Sequence, residues 1–252
     1  METLFNDAII RAIKKTKMPN LKLIATELNL TIEKAKKEEI ISKIMEQMET
    51  KSIKTKINIL KKTNTSFAIH VKDVISNNIP VENIIDTGIC LPLDKLMNTP
   101  ELCSKFTNEC SLENKNDKII SPDCVNKQTQ GLYVLTIRKR EEDVDYIVKI
   151  GSFAESQGMK KRIDSFGGGN YDTGSATNKW FQSFVKMAIE QDYTAKFTYY
   201  LIERQQKITI LDLFDEESEM MPYITRPLET QLFNKYHELN HNISPIFGAN
   251  CL

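Results

Sequence analysis

Two β-prone runs separated by a short charged segment constrain this chain more than any other feature. Gly131-Leu-Tyr-Val-Leu-Thr-Ile-Arg138 and Tyr146-Ile-Val-Lys-Ile-Gly151 are rich in β-branched and aromatic residues. Lys139 to Asp145 between them is charged and suits a hairpin turn. Beyond Gly151 the apolar period changes. Ser156 to Ser165 predicts a short helix stopped by the glycine run 167–169. Residues 175–192 place Trp180, Phe181, Phe184, Val185 and Ile189 on one helical face. Lys196 to Ile202 predicts a third strand. Residues 226–240 predict a last helix, with Leu228, Leu232 and Tyr236 turned to a core. Residues 129–252 therefore read as an α+β domain, a small antiparallel three-stranded sheet flanked by helices.

The N-terminal part has no strand period. Leu4, Ile9, Ile10 and Ile13 recur at helical spacing, and Pro19-Asn20 breaks the pattern. A second helix carries Leu21, Ile24, Leu28 and Leu30. A third carries Ile40, Ile41, Ile44 and Met45, with Thr31 as its expected N-cap. A lysine-rich segment, Lys51 to Lys62, closes a helical module at residues 1–62. Residues 63–128 mix short apolar runs with Asn, Pro and Thr, and read as a linker or insertion.

Charge adds an asymmetry. The chain is neutral overall, yet residues 1–75 hold 15 Lys/Arg against 9 Asp/Glu. A basic surface of this kind suits a polyanionic partner, and equally a solvated lysine-rich surface. No apolar stretch approaches the roughly 18 residues of a membrane span. The acidic opening at Glu2 and Asp7 does not read as a signal peptide. The five cysteines lack the paired C-x₂-C spacing of zinc knuckles and fit free thiols in a reducing cytoplasm. A nucleoid or viral-factory location is compatible with the same composition.

Gly131-Leu132-Tyr133 followed by Lys149-Ile150-Gly151, with Arg162 on the next helix, Glu229 on the late helix and Pro245 and Asn250 near the end, resembles the GIY-YIG nuclease family. The family's second tyrosine falls at Lys149. Strand alternation would turn Tyr146 to the opposite face, so Tyr146 is not expected to replace it. A lysine in this slot resembles the family's small Type II restriction endonucleases. Lys161-Arg-Ile-Asp-Ser-Phe166, Arg226-Pro-Leu-Glu229 and Asn242-Ile-Ser-Pro-Ile-Phe-Gly248 resemble that branch too. Leu21 to Leu30 followed by Lys36 to Met45 resembles a SAP-like DNA-binding hairpin, without its usual glycine.

The resemblance implies Mg²⁺-dependent hydrolysis of double-stranded DNA at a specific sequence, with Mn²⁺ as a substitute metal. A homodimer on a palindromic site is compatible with it. So are a viral or mobile-element processing nuclease and a catalytically inactive DNA-binding protein. The implied catalytic set is Tyr133 as base, Lys149, Arg162 as phosphate fork and Glu229 as metal ligand. A lysine ammonium beside a phenol favours phenolate, which gives Tyr133–Lys149 a chemical rationale. DNA contacts are expected from Lys36, Lys37, Asn170, Ser175, Thr177, Asn178, His241 and Asn250. His237 and His241, four residues apart, read as surface or DNA-backbone histidines rather than zinc ligands.

Overall fold

The computed structural model describes residues 2–98, 100–124, 129–153, 158–167, 176–202, 208–211, 217–220 and 225–247. Four helices open the chain: α1 (Glu2–Lys15), α2 (Met18–Glu27), α3 (Lys37–Glu49) and α4 (Ile53–Lys62). Each forms because apolar residues recur every three or four positions. In α1 the buried set is Phe5, Ala8, Ile9 and Ile13. Pro19 sits in the first turn of α2, where its missing N–H has no helical partner to lose. Ser52 caps α4 by accepting a hydrogen bond from the Thr55 N–H at 3.3 Å. Thr31 is not the cap of α3. That helix starts six residues later behind Lys36, because Lys34 takes left-handed backbone (φ 57°) and interrupts a helix begun at Thr31.

Four short helices follow: α5 (Val71–Ser76), α6 (Val81–Asp86), α7 (Leu93–Met97) and α8 (Pro100–Cys103). The sheet strands are β1 (Asn108–Lys115), β2 (Lys118–Ile120), β3 (Gln130–Lys139), β4 (Tyr146–Phe153) and β5 (Tyr193–Ile202). Helices α9 (Gly158–Gly167) and α10 (Ala176–Glu190) lie between β4 and β5. A separate two-stranded ribbon, β6 (Ile208–Leu211) with β7 (Glu217–Met220), precedes α11 (Thr225–Leu239).

The mixed α+β class stands, but the sheet is larger than three strands. Its order is β2-β1-β5-β3-β4, all neighbours antiparallel. The expected three strands are its β5-β3-β4 portion. The two added strands come from the 63–128 stretch. Only Cys110 and Leu112 of β1 are buried, alternating with polar residues, so its apolar signal is faint.

The sheet is covered on both faces. Tyr133, Leu135, Ile137 and Phe197 belong to a large apolar cluster with α9, α10 and the N-terminal helices, running from Phe5 to Ile246. Leu132, Val134, Ile147 and Ile150 face a second cluster built from Leu91, Leu96, Phe106, Leu232 and Tyr236. Residues 89–93 run beside the start of β4, where Ile147 N–H donates to Leu91 O at 2.9 Å and Leu93 N–H to Asp145 O at 2.7 Å. After α11 the chain folds back: Ser244 N–H donates to Phe67 O at 2.9 Å, and Phe67 N–H to Asn242 O at 3.3 Å. No described helix is long and apolar enough to cross a membrane.

Candidate active site

Both signature glycines are fixed by close approach. A Cβ on Gly131 would collide with the Tyr200 carbonyl oxygen and lie 2.5 Å from Phe153 Cζ. A Cβ on Gly151 would overlap Cζ and the hydroxyl of Tyr133, its direct cross-strand partner. Tyr133 therefore lies across β4 in the space that a side chain at 151 would fill. Its ring meets Phe197 edge-on, centroids 5.1 Å apart at 86°, and is 0% exposed. The hydroxyl itself is buried.

Lys149 pairs with Leu135, two residues along β3 from Tyr133, so Lys149 and Tyr133 share a face. A β-bulge then intervenes. The register steps from Leu135↔Lys149 to Thr136↔Ile147 and leaves Val148 as the extra residue. Tyr146 pairs with Ile137, on the face of Leu135 and Tyr133. Simple alternation, which turned Tyr146 away from Lys149, is overturned by this one added residue. The Lys149 ammonium lies 5.6 Å from the centroid of the Phe247 ring.

Arg162 sits on α9 between Met159 and Ile163, which are both buried in the cluster that holds Tyr133. Its Nε is a buried atom. Glu229 is in the first half of α11 and accepts a hydrogen bond from Ser152 Oγ on Oε2 at 2.5 Å. Ser152 follows Gly151 and so projects to the Leu132 face. Tyr133 and Glu229 each touch the 149–152 stretch of β4, from opposite faces of the sheet. Tyr133, Lys149 and α9 lie on one face, and Glu229 reaches the next residue of β4 on the other.

Glu229 is the one carboxylate among the four expected residues that could hold a magnesium ion. Among the described residues no group of three or more His, Cys, Asp or Glu side chains could hold a metal. One carboxylate with waters is a usual arrangement for Mg²⁺. Ser152 binds one Glu229 oxygen and so orients the other.

The outlying expectations separate. Lys36 is exposed and Lys37 half-buried at the start of α3. Thr177 and Asn178 fall in the first turn of α10. Asn170, Ser175 and Asn250 lie outside the described residues. His241 is exposed in a left-handed turn (φ 51°) after α11. Comparison with protein-family models, curated proteins and solved structures returned no match.

His237 is not a surface histidine. It is buried, its Nε2 is 3.1 Å from Ser244 Oγ, and its ring centroid is 4.5 Å from that of Phe233. Its neighbours come from the fold-back at Ser244, which helix periodicity could not reveal. Burial holds its pKa below the usual 6.5. The unfolded chain therefore takes up a proton below about pH 6.5 that the folded chain refuses, and stability falls as pH drops through that range. His237→Gln should lose less stability than the wild type between pH 7.5 and 5.5, read from urea midpoints. Equal losses would show that His237 does not carry the linkage.

Ser152 was given no role by the sequence, and Phe247 entered only within the Asn242–Gly248 segment, because each meets the candidate residues through a contact with a distant element. The described cysteines are free thiols. Burial pushes Cys90 up to about 12 against the opposing Lys61 charge. A thiol–thiol hydrogen bond to Cys124, then burial, pushes Cys110 up. Both effects favour the protonated, unreactive form.

Proposed function

We propose that this chain is a Mg²⁺-dependent endonuclease of the GIY-YIG type that hydrolyses phosphodiester bonds of double-stranded DNA in a sequence-specific, restriction-like manner. The observation that carries the reading is the packing of Tyr133 into the space over Gly151. It gives a physical reason for Tyr133 and Gly151 at two signature positions, and the strand register puts Lys149 on the same face as Tyr133.

In this reading Lys149 and Arg162 neutralise the non-bridging oxygens of the scissile phosphate. The Tyr133 phenolate takes a proton from the attacking water, whose oxygen bonds to phosphorus as the P–O3′ bond breaks. A metal bound at Glu229 would supply charge neutralisation at the leaving oxygen. In this reading Lys36, Lys37 and His241 contact the DNA backbone, and a homodimer would match a palindromic target.

Burial of the Tyr133 hydroxyl favours a second reading, a DNA-binding protein that no longer cuts. Plasmid digestion separates the two. Purified protein with Mg²⁺ or Mn²⁺ should give discrete fragments, EDTA should abolish them, and Tyr133→Phe should remove most of the activity at every pH. DNA binding without cleavage under either metal would establish the second reading.

A further inference from the structure

We infer that Phe247 is a positioning residue for Lys149, so that the segment after α11 completes the site on β4. The inference rests on the nuclease reading above. Three independent observations meet at this point. Lys149 pairs with Leu135 directly beside the bulge at Val148 and so takes the Tyr133 face. Val148 C=O accepts a hydrogen bond at 3.1 Å from Phe247 N–H, so the fold-back is tied to the bulge itself. The Phe247 ring then lies beneath the Lys149 ammonium at 5.6 Å.

The ring is fixed from behind. It lies 5.8 Å from Phe181 and 5.5 Å from Phe184, the latter edge-on, both on α10. Phe181 in turn stacks on Phe197, the ring that Tyr133 meets. An aromatic chain therefore connects α10, the base candidate and the lysine support. A long, flexible lysine stem loses its wandering when its ammonium rests on a ring face. That leaves the N–H donors directed away from the ring, toward an anionic oxygen. The fold-back is held separately by Ser244 and Asn242 on Phe67, so the Phe247 ring can be altered without removing its backbone anchors.

The test pairs nuclear magnetic resonance with single-turnover cleavage of plasmid DNA. Protein carrying ¹³C-lysine should show one ε-methylene signal shifted upfield by the Phe247 ring current, assigned to Lys149 by its loss in Lys149→Arg. Phe247→Leu should return that signal to the solvent-exposed position. It should slow cleavage by roughly ten-fold while DNA affinity changes less than about two-fold. Phe247→Tyr should retain both the shift and the rate. The wild-type shift needs no variant to fold. A protein that cuts DNA while Lys149 shows no ring-current shift, or while Phe247→Leu leaves shift and rate unchanged, overturns the Phe247 assignment alone. A wild-type protein that cuts no DNA with Mg²⁺ or Mn²⁺ overturns the nuclease reading and the role of Phe247 with it.

Discussion

Glu229→Gln should lower Mg²⁺-dependent cleavage by about a thousand-fold, roughly 4 kcal/mol of transition-state stabilisation. The amide keeps the shape of the side chain and an oxygen for the Ser152 hydroxyl, which now stands 2.5 Å from Glu229 Oε2. What it loses is the negative charge that holds a hard cation. Stability and DNA affinity should therefore stay near wild type, since the fold contact survives. Ser152→Ala gives the complementary case. The carboxylate remains but its orientation is no longer fixed, and loss of such a supporting partner costs about ten-fold to a hundred-fold. Cleavage rates across a Mg²⁺ titration decide the matter. A Gln variant that cuts at near the wild-type rate would remove Glu229 from the mechanism.

Gly151→Ala should disrupt the packing of Tyr133 directly. Two effects oppose each other. Alanine restricts the unfolded backbone and so favours folding by about 0.4–1 kcal/mol. Against this, the new Cβ would collide with both Tyr133 Cζ and its hydroxyl oxygen, while the Tyr133 ring is itself held edge-on by Phe197. Overpacking a closed core costs about 1–3 kcal/mol and more when aromatic neighbours must move together, so the clash wins. We expect a net loss of about 3 kcal/mol in urea unfolding, with cleavage lost as Tyr133 is displaced. A double-mutant cycle identifies the cause. In a Tyr133→Leu background the same alanine should cost far less, because the ring it strikes is gone. Additive losses in that cycle would show that Gly151 is required for some reason other than Tyr133.

The sequence by itself determined the order of β3, β4, α9, α10, β5 and α11, because each has a strong local period and a clear stop, while β6 and β7 between β5 and α11 were not read. The hairpin strands, the helix with Arg162, the helix with Phe181 and Phe184, and the helix with Glu229 all lie within a few residues of where periodicity puts them. The N-terminal helices were legible for the same reason. Strands β1 and β2 were not, since a sheet position with only Cys110 and Leu112 buried leaves little apolar alternation to read. Only the tertiary structure decided the contacts that build the candidate site. The bulge at Val148 changes which face Tyr146 takes, and a register shift is a property of two strands together. The burial of His237, the support of Lys149 by Phe247 and the Ser152–Glu229 hydrogen bond each depend on how the folded chain packs. Local propensity carries no information about such pairs; the packing of the sheet faces brings them together.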